Sequence, residues 1–275
     1  MTIRMKTKKS NGNREVHKPF LTGSPYDEKT VGNGLKFFGT FFLTFVISLI
    51  VCLTTSGFDS IVIRVIINIS VILLALYIFY NSGTKTGTED VARGEILYQK
   101  QLKETVFSDS EKKMCFHPAK GYLIGLIGML LFIIPAIILA LNTSVKTTDS
   151  GTLPSWMQAY VKRSDIGNAL INYTQPEGMK LIDYIRAFVR LVILPFVNMI
   201  GGTNKNGLVI LERLSPLIMI LPAAAYGTGY LSGKNIRTQV HTAISESDRK
   251  RKRIEKKKKK NSSFQTQPRE PEKLN

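Results

Sequence analysis

The amino-acid sequence predicts an all-α, polytopic integral membrane protein with a strongly basic cytosolic tail. Apolar residues occur in long blocks that hold few charges, and Lys and Arg accumulate at both ends of the chain, which has a net charge of +18. A helix needs about 20 mainly apolar residues to cross the roughly 30 Å of hydrocarbon in a bilayer. Four blocks meet that requirement, so we expect four transmembrane helices.

The first two blocks predict a transmembrane hairpin over residues 35–80. One block covers residues 37–55 and is rich in phenylalanine, and the other covers residues 61–80 and is rich in Ile, Val and Leu. The short segment between them predicts a tight turn. Arg64 lies near the end of the second block, where a long cationic side chain can reach the interface.

Residues 121–141 and 214–231 are the third and fourth predicted spans. Gly121 and Gly125 in the third span have the spacing that allows close helix packing in membranes, and Pro135 predicts a kink. The fourth span carries no charged residue. Both blocks are long enough to cross the hydrocarbon.

A fifth apolar block, residues 181–200, is ambiguous because it contains Asp183, Arg186 and Arg190. About a dozen apolar residues contribute roughly −0.3 to −0.6 kcal/mol each to insertion, and each charge costs up to about 3 kcal/mol. These contributions nearly cancel. The sequence therefore leaves two alternatives, an interfacial helix and a re-entrant segment, and favours the interfacial placement.

The distribution of Lys and Arg predicts that both termini are cytosolic, because these residues accumulate in cytoplasmic segments near span ends. Residues 1–34 form a polar, basic N-terminus, and residues 232–275 form a basic, partly disordered tail. Two cytosolic termini require an even number of crossings, which favours four. Residues 81–120 are then a cytosolic loop with a short amphipathic helix, and residues 142–213 are an external loop.

The charges of the fifth block lie on one helix face, since their spacing follows the 100° rotation per residue of an α-helix. Ionisable residues inside a membrane often mark a functional site. One interpretation is a polar groove lined by Arg64, Asn68, Asp183, Arg186, Arg190 and Glu212. The other interpretation, which the sequence favours, places the charges of the fifth block in water and headgroups.

The tail contains ten basic residues that are candidates for contact with anionic lipid headgroups or RNA: Arg249, Lys250, Arg251, Lys252, Arg253, Lys256, Lys257, Lys258, Lys259 and Lys260. Such clusters attract anionic headgroups and also neutralise RNA phosphates. The run has no aromatic residue for base stacking, so RNA contact would involve the backbone. A further alternative is that the charges only fix the orientation of the last span.

The sequence predicts no catalytic, cofactor-binding or metal-binding set. His17, His117 and His241 are scattered over polar segments without metal-ligand spacing, and Cys52 and Cys115 are the only cysteines.

Residues 229–235 resemble a phosphate-binding loop in composition. The glycine spacing is one residue short, however, and Asn235 occupies the position of the hydroxyl that would hold magnesium. We therefore expect these glycines to belong to a helix end and not to a nucleotide site.

The preferred functional hypothesis is a non-enzymatic scaffold or accessory protein of the cell membrane. Its basic tail would contact anionic lipids, RNA or the ribosome, or a protein partner. The alternative is a transporter, a channel subunit or an insertase-like protein that uses a polar intramembrane groove. The insertase comparison depends on a buried arginine, Arg64 or Arg190, combined with a basic tail. The sequence leaves enzymatic activity open but favours its absence, and it leaves the oligomeric state undetermined.

Overall fold

The computed structural model describes residues 16–55, 57–58, 60–143, 156–167, 169–170, 180–201 and 204–265, with the backbone alone for residues 158 and 259–265. Within these ranges the protein is all-helical and has no β-strand. The helices are α1 Glu28–Thr55, α2 Ile61–Leu102, α3 Asp109–Lys113, α4 Lys120–Asn142, α5 Leu181–Val192, α6 Leu194–Ile200 and α7 Lys205–Gln265. A short 3₁₀ helix covers Gln158–Lys162. Helices α1, α2, α4 and α7 are long and apolar enough to cross a membrane, which confirms the predicted number of candidate spans.

Helices α2 and α7 run parallel to each other. Gly83 of α2 lies against Tyr226 of α7, and one end of the pair is marked by a contact between Glu95 and His241. Residue numbers therefore increase together along both helices. The result is a long two-helix unit with more extensive contact than any other helix pair in the bundle.

Helices α1 and α4 form a second parallel pair, in which Gly34 lies against Ile127 and Phe41 against Phe132. The turn between α1 and α2 reverses the chain direction. The two parallel pairs therefore run in opposite directions, and α1 and α4 end where α2 and α7 begin.

Four glycines bring α2 and α7 into backbone contact. Gly83 and Gly87 on α2 face Gly229 and Gly233 on α7, and a Cβ atom at any of them would collide with backbone atoms of the partner helix. Both pairs have the small-xxx-small spacing that permits close approach of membrane helices. Gly229 and Gly233 therefore lie within a continuous helix as packing residues, and the prediction that they belong to a helix end is wrong.

The predicted close packing of α4 also occurs. A Cβ atom on Gly121 would collide with the ring of Tyr230, and one on Gly125 would press on Ala223, so both glycines face α7. Pro135 lies inside α4.

Aromatic side chains fill the centre of the four-helix bundle. The ring of Phe37 lies 5.2 Å from that of Phe79 and 5.1 Å from that of Tyr226, and the rings of Phe41 and Phe132 are 4.8 Å apart. Helix association in lipid depends on van der Waals packing, because lipid tails are as apolar as the core. These contacts therefore determine how α1, α2, α4 and α7 fit together.

The fifth apolar block consists of two helices and not of the single helix predicted for residues 181–200. Helix α5 ends at Val192, and α6 begins at Leu194 with Pro195 in its first turn. Proline has no N–H to continue the preceding helix and its ring clashes with the carbonyl four residues back, so the chain breaks at Ile193.

The break at Ile193 lies deep in the bundle. Ile193 is 2% exposed and lines a cavity of about 90 Å³ together with Phe41, near the midpoint of α1, and Ala75, in the first half of α2. Helix α6 then returns toward the end of α1, where Asn198 Nδ2 donates a hydrogen bond to Thr55 Oγ1 at 3.0 Å. The α5–α6 hairpin therefore enters and leaves at the end of the bundle where α1 and α4 end.

At the other end of the bundle, the helices α2 and α7 are longer than the sequence predicts. The short helix predicted within residues 81–120 is a continuation of α2, which extends without a break to Leu102, and α3 follows it. Helix α7 likewise continues through most of the predicted partly disordered tail, as far as Gln265. Residues 266–275 lie outside the described part of the chain.

Residues 16–27, which we call the N-terminal strap, are extended across this end. Leu21 N donates to Gly94 O at 3.1 Å, and Gly23 N donates to Phe116 O at 3.0 Å. The strap therefore joins α2 to the segment that precedes α4.

Candidate functional site

Glu212 on α7 is the centre of a buried ion-pair cluster. Its side chain is 1% exposed and accepts hydrogen bonds from Arg190 Nε at 2.7 Å and from Arg186 Nε at 3.2 Å. Thr143 provides a third donor, with its Oγ1 3.2 Å from Glu212 Oε2. Removing a carboxylate from water costs several kcal/mol, and these three donors offset that cost.

Asp183 completes the Glu212 cluster. Its Oδ1 lies 3.4 Å from Arg186 Nη1, and its Oδ2 accepts a hydrogen bond from Lys180 N at the start of α5. Because two arginines face two carboxylates, these four side chains carry no net charge. The i, i+4 spacing of Arg186 and Arg190 is what allows both to reach one acceptor on α7.

Arg64 and Asn68 lie in a different environment from the other four residues of the predicted groove. Asn68 is fully buried and accepts a hydrogen bond from the Cys52 thiol at 3.1 Å, and its Nδ2 donates to the carbonyl of Arg64 at 2.7 Å. The structure therefore brings together Asp183, Arg186, Arg190 and Glu212, and it places Asn68 at the α1–α2 contact.

A second buried cluster, around Lys120, was not predicted. Lys120 Nζ lies 2.8 Å from Asp27 Oδ2 and 2.9 Å from Asp90 Oδ2, and its side chain is 1% exposed. Tyr230 OH donates to Asp90 Oδ2 at 2.7 Å. This Lys120 cluster connects the strap, α2, α4 and α7 at one level of the bundle.

The Lys120 cluster has no local signature in the sequence because its members are far apart along the chain. Asp90 lies within the predicted cytosolic loop of residues 81–120, and Lys120 lies at its boundary. The one available signal is that Lys120 directly precedes an apolar span, where a lysine needs either water or a carboxylate.

Lys120 perturbs the acid–base properties of its surroundings. Burial alone raises the pKa of Asp27, but the hydrogen bond and charge of Lys120, together with hydrogen bonds from Thr30, outweigh that effect and hold the pKa below its ordinary value. Burial raises the pKa of the nearby Cys115 thiol, and the Asp90 carboxylate adds to that increase. Asp27 is therefore held as a carboxylate and Cys115 as a thiol.

Glu95 forms a third contact, further along α2 and α7. Its Oε2 accepts from Arg237 Nε at 3.1 Å, and its Oε1 lies 2.8 Å from His241 Nε2. Thr242 Oγ1 accepts a hydrogen bond from the strap, at Val16 N. Helix α7 is thus held against α2 and the strap as far as Thr242.

Beyond this point α7 carries the basic run. The side chains of residues 249–258 are exposed, and the helix continues through Lys259 and Lys260 to its end at Gln265. One apolar residue, Ile254, occurs between Arg249 and Lys260. The basic residues consequently surround the helix on all sides.

In the part of the chain that the structure describes, no group of three His, Cys, Asp or Glu side chains could hold a metal ion. His17 and His241 both lie near Thr238, and His117 accepts a hydrogen bond from the backbone of Ala119.

No protein-family model, curated protein or solved structure matches this chain.

Proposed function

We propose that the protein is a multi-pass scaffold of the cell membrane that presents a basic helix to a soluble polyanion, namely RNA on the ribosome. In this proposal α1, α2, α4 and α7 cross the bilayer, and both termini are cytosolic. The α5–α6 hairpin is re-entrant from the external side. The observation that carries the proposal is the continuity of α7 from its apolar span to the exposed basic run.

The length of α7 places the basic run away from the headgroups. At 1.5 Å per residue, Arg249 lies about 27 Å beyond Leu231, where the predicted span ends. The attraction of a lysine to anionic headgroups falls off within a Debye length, about 8 Å at physiological ionic strength. A helix that continues along its axis therefore carries its charges beyond the range of the lipid surface.

The contact of Glu95 with Arg237 and His241 holds α7 against α2 beyond the predicted span. Glu95 lies fifteen residues beyond Tyr80, where the second predicted span ends, and it still binds Arg237 and His241. Along α7 the same contact lies six to ten residues beyond Leu231, so the paired helices form a stalk of about 9 to 15 Å beyond the predicted end of the α7 span. The stalk prevents α7 from folding back onto the membrane directly after its span.

The composition of the run also favours RNA over lipid. A helix that lies in the membrane interface needs an apolar face, and the segment from Arg249 to Lys260 contains only one apolar residue, Ile254. Closely spaced cations on all sides suit the backbone phosphates of a folded RNA. The absence of aromatic residues in the run fits contact with phosphates and not with bases.

The Glu212 cluster gives less support to a transporter or an insertase. Arg186 and Arg190 are both engaged by Glu212, and Asp183 balances the remaining charge. A polar path for a solute or a nascent chain needs charges that face an open groove. We therefore assign this cluster the task of holding the re-entrant hairpin against α7.

Co-sedimentation of the detergent-solubilised full chain with ribosomes tests the proposal. The variant carries Lys256→Gln, Lys257→Gln and Lys258→Gln, and a second variant with three Lys→Arg changes is the charge-preserving control. We expect the Gln variant to bind less, the Arg variant to bind like wild type, and wild-type binding to fall steeply as salt rises. Equal binding of all three proteins to ribosomes, or binding only to anionic liposomes, would reject the RNA assignment.

A further inference from the structure

A cavity of about 330 Å³ lies between the N-terminal strap, α2 and α7, just past the Lys120 cluster. Its lining includes Lys18, Phe20, Glu95, Lys234 and Arg237, together with His17 and His241. A water molecule takes up about 30 Å³ of liquid, so the cavity has room for a phosphate group with its substituents. The strap forms one wall, so the site exists only when the strap is docked.

The charges around this cavity are strongly unbalanced. Lys18, Lys234 and Arg237 line it together with two histidines, and Glu95 is the one carboxylate in the lining. Both oxygens of Glu95 are already engaged by Arg237 and His241.

Two cations therefore remain for a ligand. Neither Lys18 nor Lys234 forms an ion pair with a residue that the structure describes, and Lys234 Nζ lies 5.8 Å from the centroid of the Phe20 ring. Arg237 also lines the cavity and adds a guanidinium group, of which Nε and Nη2 contact Glu95 Oε2. The Thr238 hydroxyl, in contrast, donates its hydrogen to Lys234 O at 3.1 Å. The combination of two ammonium groups and a guanidinium group is suited to an anion with several oxygens.

The position of the cavity relative to the proposed bilayer indicates the source of that anion. Lys234 follows the last apolar residue of the α7 span, Leu231, by three positions, which is about 4.5 Å along the helix. The headgroup layer extends several ångströms beyond the hydrocarbon on each side. Lys234 and Phe20 are thus at headgroup level, whereas the basic run that starts at Arg249 is well beyond it.

We propose that this cavity binds the phosphate group of an anionic phospholipid headgroup, held by Lys18, Lys234 and Arg237. Binding would fasten the strap over the ends of α2 and α7. The inference rests on the membrane placement proposed above but not on the RNA-binding role of the tail. It assigns lipid recognition to the strap and leaves the tail free for a soluble partner.

Thermal unfolding in zwitterionic detergent micelles, with added short-chain phosphatidylglycerol or phosphatidylcholine, tests this site. We expect phosphatidylglycerol to raise the Tm of the wild-type protein and phosphatidylcholine to leave it unchanged. The variant with Lys18→Gln and Lys234→Gln should need about 30-fold more phosphatidylglycerol for the same increase, because each lysine near the surface contributes about a factor of five. A variant with Lys18→Arg and Lys234→Arg should respond like wild type.

Two further measurements identify the source of the phosphate and separate the site from the tail. Inorganic phosphate that raises the Tm as phosphatidylglycerol does, with the same loss in the Gln variant, assigns the cavity to a soluble phosphate compound. The Lys256→Gln, Lys257→Gln, Lys258→Gln protein should keep the full phosphatidylglycerol response even if it no longer binds ribosomes. An equal response of wild type and the Lys18/Lys234 Gln variant, or no response to either phosphate source, would overturn the proposal.

Discussion

Arg190 and Glu212 form an ion pair between α5 and α7, with Arg190 Nε 2.7 Å from Glu212 Oε1. Arg186 reaches the same carboxylate from the preceding turn of α5. A helix that lay flat in the interface with its charges in water would not need a buried acceptor on another span. The pair therefore supports an inward-facing α5, and its energetic weight can be measured.

Neutralising Glu212 should destabilise the protein substantially. Glu212→Gln leaves the Arg186 side chain, which is 10% exposed, with only part of its partners, and we expect a loss of about 3 kcal/mol in the free energy of unfolding. Arg190→Leu should cost less, because its side chain is 36% exposed and Arg186 still serves Glu212. SDS-induced unfolding in mixed micelles measures both variants.

Coupling between the two positions provides the control. In the Glu212→Gln background, Arg190→Leu should cost nearly nothing, since its partner is already lost. Arg163→Leu breaks an exposed pair with Asp165 and should change stability by less than about 1 kcal/mol. Additive effects at positions 190 and 212 would show that the ion pair does not stabilise the fold.

Gly87→Ala tests the backbone contact between α2 and α7. The new methyl group would collide with the carbonyl of Tyr230, so we expect a loss of about 1 to 3 kcal/mol in stability. Gly39→Ala on α1 is the matched control, because no atom lies within 4 Å of a Cβ built there and alanine favours a helix over glycine. Equal behaviour of the two variants would mean that the helices are not in backbone contact.

The Lys120 cluster predicts a loss of stability in acid. Lys120 and Thr30 hold the pKa of Asp27 below its ordinary value near 3.8. The carboxylate therefore stabilises the fold at higher pH, and this contribution is lost as the pH falls below that value and through the lowered pKa. We expect the Tm of the wild-type protein to fall in this pH range and the Tm of the Asp27→Asn variant to fall less. Asp165→Asn, in an exposed pair, should follow wild type.

The sequence was sufficient to predict the helical class and the four candidate spans, because both follow from block length and hydropathy. It was also sufficient to place Arg186 and Arg190 on one face. It could not predict that Glu212 would meet that face, because residues 22 and 26 positions apart meet only through tertiary packing. The break at Ile193 had a local signal in Pro195, which the apolar composition of the block concealed.

The location of the helix ends was harder to predict for a different reason. Hydropathy marks where an apolar block ends, and α2 and α7 both continue past that point as helices. Their continuation depends on Gly87 and Gly233 at the crossing and on the contact of Glu95 with His241. None of these pairings has a signature within a single segment.

The proposed topology predicts that both termini lie on the same side of the membrane. Reporter fusions after Lys120 and at Asn275 should both report the cytosol, because basic residues flank these points. A fusion after Thr143, at the end of α4, should report the opposite side. Opposite locations for the first two fusions would require an odd number of crossings.

The position of the basic run relative to the bilayer tests the central claim most directly. Ser247 and Asn235 are both exposed on α7 and twelve residues apart, about 18 Å along the helix. In a background with Cys52→Ser and Cys115→Ser, a fluorophore would be attached at Asn235→Cys or Ser247→Cys. The protein would be placed in anionic vesicles that carry a headgroup nitroxide quencher. We predict strong quenching at position 235 and little quenching at position 247, whereas equal quenching at both positions would show that the basic helix lies on the lipid surface and would contradict its presentation to RNA.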